Sequence, residues 1–203
     1  LCGCGDPPTT PAASNQPVAP TTAWLLDVAA DAGLDFVWQS GHDTEFLMPE
    51  IVGGGVAMLD FDNDGDLDVY FVQGGDVAAA WNDPLSNTAR NAMYRNDGDW
   101  TFTDVTDKTK TGNSEYGMGI AVGDIDGDGD PDLYITNVGR NTMLRNDNGV
   151  FVDITEESGT GDSGWGASAA FFDADLDGDL DLYTTNYLNW TPTTELTCFS
   201  PLG

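Results

Sequence analysis

The chain has 203 residues, 40% of them hydrophobic, with six Trp and nine Phe; this is enough apolar material for a folded core and too much for a disordered acidic tail. Acidic residues outnumber Lys and Arg 35 to 6, and the formal net charge of -29 excludes a nucleic-acid or anionic-membrane partner, because phosphate contacts require clustered basic side chains. No apolar run approaches the roughly 18 residues of a membrane-spanning helix, and the odd set Cys2, Cys4 and Cys198 cannot form a closed disulfide framework.

Leu1-Cys2-Gly3-Cys4 resembles the lipobox of bacterial lipoproteins, which makes Cys4 a candidate lipidation site; the alternative is a pair of free thiols at a chain end. Pro, Thr, Ala and Ser dominate the following stretch, a composition that cannot form a core, so residues 1–23 read as an extended tether. Residues 24–203 read as the folded part.

Internal repetition organises that part. An apolar run, an acidic loop and a second apolar run occur as 55–59, Asp60 to Asp68 and 69–72; as 119–123, Asp124 to Asp132 and 133–136; and as 168–172, Asp173 to Asp181 and 182–185. Tyr70, Tyr134 and Tyr183 fall at one offset from the first Asp. After the first two copies comes an Arg-Asn-Asp unit, Arg95-Asn96-Asp97 and Arg145-Asn146-Asp147, and then a closing unit, Phe102-Thr103-Asp104-Val105-Thr106 and Phe151-Val152-Asp153-Ile154-Thr155. A degenerate closing unit, Leu25-Leu26-Asp27-Val28-Ala29, precedes the first acidic loop.

Each repeat therefore predicts four short strands, β-branched and aromatic, bounded by Gly, Asn and Asp turns, with no apolar period of helical length. The predicted fold is all-β: a partial β-propeller of four-stranded antiparallel blades over about 51–106, 115–155 and an incomplete 163–203. From Asp60 to Arg95 is 35 residues (95 − 60) against 21 from Asp124 to Arg145 (145 − 124), which marks an insertion near Gly75 to Thr88. Gly53-Gly54-Gly55 precedes a strand, so it predicts close backbone packing rather than dinucleotide binding.

The acidic loops predict calcium. This ion takes six to eight hard oxygen ligands at about 2.3–2.6 Å, and carboxylates at positions 1, 3 and 5 converge when the chain coils tightly. Gly65, Gly129 and Gly178 stand at position 6, where that bend disfavours a side chain. Without a cation the carboxylates repel, at roughly 3 kcal/mol for two charges about 5 Å apart at an effective dielectric of about 20. The opposing reading, a solvated acidic turn, weakens with three copies in register. An EF-hand is excluded, since position 12 holds Phe71, Ile135 or Thr184 in place of the bidentate Glu, between strand-like flanks. Magnesium fits less well, because it keeps its waters and seldom uses an all-protein cage.

With these units in view, the chain resembles FG-GAP/VCBS repeats, the blades of integrin-α-type propellers. It is most similar to bacterial relatives of cartilage acidic protein that carry ASPIC/UnbV domains, through Asp35-Phe36-Val37, 49–57, the acidic loops and the closing units. Trp38 departs from the family's frequent His. The resemblance implies a fragment of a ring of about seven blades, with further blades and a C-terminal domain beyond it. It implies about three calcium sites, in the hairpins between first and second strands. Their side-chain ligands are Asp60, Asp62, Asp64 and Asp68; Asp124, Asp126, Asp128 and Asp132; Asp173, Asp175, Asp177 and Asp181, with Asp66, Asp130 and Asp179 supplying carbonyls. It further implies a recognition face opposite the metals, carrying the insertion and an exposed Trp81 on an extended loop.

The sequence offers no nucleophile motif and a single histidine, His42, so a non-catalytic module is expected. The expected function is a calcium-stabilised, secreted or surface-anchored adhesion or ligand-binding module for a protein or carbohydrate partner, touching a membrane only through a lipid anchor. The alternative is a propeller part of a polysaccharide-degrading enzyme.

Overall fold

A computed structural model of the chain describes residues 25–43 and 47–194. The tether, Cys4 and the other cysteines lie outside the described residues. Strands β1 (Val56–Leu59), β2 (Asp68–Phe71), β3 (Ala92–Asn96) and β4 (Phe102–Asp104) form one antiparallel sheet in sequential order. Strands β5 (Tyr116–Gly123), β6 (Asp132–Val138), β7 (Thr142–Asp147) and β8 (Val150–Asp153) form a second sheet of the same order, and β9 (Gly166–Phe172) pairs with β10 (Asp181–Asn186). The architecture is all-β, without a closed barrel among the described residues, as a partial propeller requires.

The register repeats. Leu59 faces Asp68, Gly123 faces Asp132 and Phe172 faces Asp181, so each acidic loop springs from an equivalent hairpin neck. Tyr70 faces Met93 as Tyr134 faces Met143. The closing units repeat too: Asp104 and Asp153 each accept at Oδ1 from the backbone N–H two residues on, at 2.9 Å. The degenerate unit keeps this turn, with Ala29 N–H donating to Asp27 Oδ1 at 3.1 Å, but residues 25–28 join no strand, and Leu25 and Leu26 are exposed.

One core fills the space between the first two sheets, from Leu59, Phe61, Tyr70 and Met93 to Leu133, Ile135, Leu144 and Phe151. A second joins Ala121, Tyr134 and Met143 to Phe171 and Leu182 of the two-stranded sheet. Edge strands β1, β5 and β9 lie side by side. A Cβ at Gly119 would fall 2.9 Å from the Ala167 carbonyl oxygen, so only glycine lets β5 come this close to β9. Close backbone packing also holds at Gly54, where a Cβ would meet the Val72 carbonyl oxygen at 2.1 Å. The flanks of the assembly stay apolar and open: Val56 and Met58 on β1, Phe172 and Tyr183 on the β9–β10 hairpin.

The sequence pattern holds no helical period, yet among the described residues there are three short α-helices: α1 (Val77–Asn82), α2 (Thr106–Thr109) and α3 (Thr155–Ser158). α1 lies in the insertion. Its Ala run carries high helix propensity, and Asp76 caps it by accepting from Ala79 N–H at 2.9 Å. α2 and α3 are single turns after the closing units, each ended by a left-handed residue, Lys110 or Gly159.

Candidate metal centres

The acidic loops sit at one end of the sheets, and the α1, α2 and α3 connections sit at the other, because antiparallel order sends alternate connections to opposite ends. In each loop three carboxylates converge with ligand oxygens within 4.8 Å of one another: Asp60, Asp62 and Asp68; Asp124, Asp126 and Asp132; Asp173, Asp175 and Asp181.

Local backbone chemistry builds these triads. Asp60 Oδ1 accepts from Asp64 N–H at 3.0 Å and its Oδ2 from Gly65 N–H at 2.9 Å. Asp124 and Asp173 repeat both bonds, with Asp128 and Gly129 and with Asp177 and Gly178. The position-6 glycines adopt φ of 94°, 95° and 101°, the left-handed region that lets the loop coil back on its first Asp. Position 4 is left-handed as well, occupied by Asn63 (φ 56°), Gly127 (φ 73°) and Leu176 (φ 63°); Asn and Gly tolerate this, whereas Leu is strained.

Asp64, Asp128 and Asp177 stand outside the triads. Each accepts at Oδ1 from the N–H of Asp66, Asp130 or Asp179, at 2.9, 2.9 and 3.0 Å. Asp130 is buried and its carboxylate is engaged elsewhere, accepting from Asn63 Nδ2 at 2.6 Å and from Asn148 N–H at 2.8 Å.

The position-9 acids divide the loops. Asp68 is buried and accepts from Phe61 N–H at 3.0 Å and Asn96 N–H at 2.8 Å. Asp132 is buried and accepts from Ile125 N–H at 2.8 Å and Asn146 N–H at 2.7 Å. Burial pushes both carboxyls up to about 6 despite these donors. Burial and the neighbouring Asp64 also raise Asp62, and Arg95 opposes that rise. Asp181 is exposed and accepts from Ala174 N–H at 2.8 Å. Arg145 lies beside the second triad, its Nε 2.8 Å from Asp147 Oδ1 and 3.9 Å from Asp126 Oδ2. An open acidic cleft lined by Asp124, Asp126 and Asp179 separates the second and third loops.

The donor sets fit a calcium-sized cation. Oxygens on a sphere of radius about 2.4 Å lie no more than about 4.8 Å apart, and every triad meets that bound. All donors are hard oxygens, and each triad concentrates negative charge that a divalent ion would offset.

At the other end, Trp81 lies on α1 instead of an extended loop and is half-buried, its ring edge-on to Trp190 at 6.3 Å. Trp190 packs in turn on buried Trp165 at 5.6 Å. His42 Nδ1 lies 3.4 Å from Glu50 Oε2.

Sequence reasoning assigned no role to Asn96 and Asn146, the residues that hold Asp68 and Asp132. Their signal was present, since both are the central residue of the repeated Arg-Asn-Asp unit.

A family model described as FG-GAP-like repeat matches residues 60–135 and 124–184, which together span more than half of the chain. No curated protein matches it.

Proposed function

We propose, from the premise that the chain belongs to the FG-GAP-like repeat family, that it is a calcium-stabilised propeller module of the cell exterior that binds a protein or carbohydrate partner without catalysing a reaction. The supporting observation is the triple convergence of Asp60, Asp62 and Asp68, of Asp124, Asp126 and Asp132, and of Asp173, Asp175 and Asp181. The remaining ligands would come from Asp64, Asp128 and Asp177 and from backbone carbonyls at Asp66, Asp130 and Asp179. When bound, the ion supplies the positive charge each loop lacks, and its binding free energy adds to folding. Within the family, the segments 35–37 and 49–57 favour kinship with bacterial cartilage-acidic-protein-like propellers. The end of the sheets that carries α1 and Trp81 is the proposed recognition face, because the loops at the other end are committed to metal.

A calcium titration of the chelator-treated chain, followed by its melting temperature, tests the metal reading. We expect the melting temperature to rise with calcium, and to rise less with equal magnesium. No rise at millimolar calcium would refute the reading.

A further inference from the structure

Phe61 sits between two candidate metal centres. Its N–H donates to Asp68 Oδ2 at 3.0 Å, inside the first loop. Its carbonyl accepts from Asn146 Nδ2 at 2.8 Å, and Asn146 belongs to the second repeat. The Asn146 N–H donates in turn to Asp132 Oδ1 at 2.7 Å, inside the second centre. The Asn146 side chain is pinned from its other end by Gly149 N–H, which donates to Oδ1 at 2.7 Å. A second tie runs in parallel, from Asn63 Nδ2 of the first loop to buried Asp130 of the second, at 2.6 Å. Among the described residues no such tie joins the second and third loops, which an open acidic cleft separates.

We infer that Asn146 and Asn63 are positioning residues that couple the first two loops, so that filling either centre raises the affinity of the other while the third loop fills independently. The inference rests on the calcium reading above. Its physical basis is shared ordering. An ion in the first loop draws Asp60, Asp62 and Asp68 together and fixes the backbone at Phe61. That holds Asn146, and with it Asp132, in the arrangement the second ion needs. The second ion then meets a loop already ordered, and the coupling is reciprocal.

The test is a calcium titration of the full chain by NMR. It follows the amides of Gly65, Gly129 and Gly178, each of which donates to the first Asp of its own loop and so reports one centre. In the wild type the Gly65 and Gly129 signals should titrate steeply and together, and Gly178 with its own midpoint. Asp62→Asn, which disables the first centre, should weaken the Gly129 midpoint by about fivefold or more, at the lower end of typical coupling, and leave Gly178 unmoved. In an Asn63→Gly/Asn146→Ala background, Asp62→Asn should no longer shift Gly129. Asn63→Gly alone, at an exposed left-handed position that glycine adopts without strain, should reduce the shift while preserving the fold. An unchanged Gly129 midpoint in Asp62→Asn, with Gly65 silent and Gly129 and Gly178 still responding to calcium, overturns the coupling and leaves the calcium reading standing. If none of the three signals responds to calcium, both fall.

Discussion

The Tyr70 hydroxyl donates to the carbonyl of Thr111 at 2.9 Å, which ties the second strand of the first sheet to the connection that leads into the next sheet. Tyr134 does the same one repeat later, donating to Thr160 at 2.9 Å. Tyr183, at the same repeat offset, is 62% exposed. Removing a hydroxyl that satisfies a buried carbonyl costs about 1–3 kcal/mol. Tyr70→Phe should therefore destabilise by about that much, and Tyr134→Phe by as much or more, since Asn141 Nδ2 also donates to its hydroxyl. Tyr183→Phe should stay within about 0.5 kcal/mol of wild type. Urea unfolding of the three variants checks the order.

Leu176 holds a left-handed backbone at φ 63° with its side chain exposed, where the first loop has Asn63 and the second Gly127. The strain has no packing gain to offset it. Leu176→Asn should stabilise by about 0.5–1 kcal/mol, because Asn tolerates this region and Leu does not. The same measurement decides; a loss of stability would contradict the assignment of strain.

Glu115 has its carboxyl raised above the ordinary 4.5, by burial first and by Asp153 after it. The folded state thus keeps its proton to a higher pH than the unfolded chain does. The group's contribution rises as pH falls through the raised value, is complete below about 4.5, and is lost as pH rises, leaving a half-buried charge at neutrality. Glu115→Gln should stabilise the protein at pH 7 and show a smaller gain over wild type at pH 4.5. The difference between the two unfolding curves across this range isolates the group from the many other acids.

Trp81 packs edge-on against Trp190 on the end of the molecule opposite the acidic loops. Trp81→Ala should cost about 2 kcal/mol, below the roughly 3–5 kcal/mol of a fully buried Trp, since this ring is only half-buried. Loss of binding to a partner in Trp81→Phe, at unchanged stability, would support a recognition role beside the packing one.

The strands were legible because each repeat writes its own: apolar runs with Tyr at a fixed offset, stopped by Asp-rich or Asn-rich turns. The convergence of the first, third and ninth loop acids followed from a spacing that is local in sequence. Contacts between repeats were not legible. Nothing in the Asp60–Asp68 stretch announces that Asn63 will meet Asp130, or that Asn146 will cap Phe61, because those contacts depend on how neighbouring sheets stack. The position-5 acids also accept at Oδ1 from the N–H two residues on, a side-chain turn that spacing does not encode. α1 escaped notice because six residues are too few to display a helical period, and its Ala run reads equally well as a loop.

The two apolar flanks, Val56 with Met58 and Phe172 with Tyr183, have a colloidal consequence. Among the described residues these side chains are exposed, and copies of the chain repel one another through a formal charge of -29. That repulsion acts only over the Debye length, about 10 Å at 0.1 M salt and about 3 Å at 1 M. Raising the ionic strength over this range should therefore weaken the repulsion between copies, the reverse of its effect on a protein whose copies are drawn together by opposite charges.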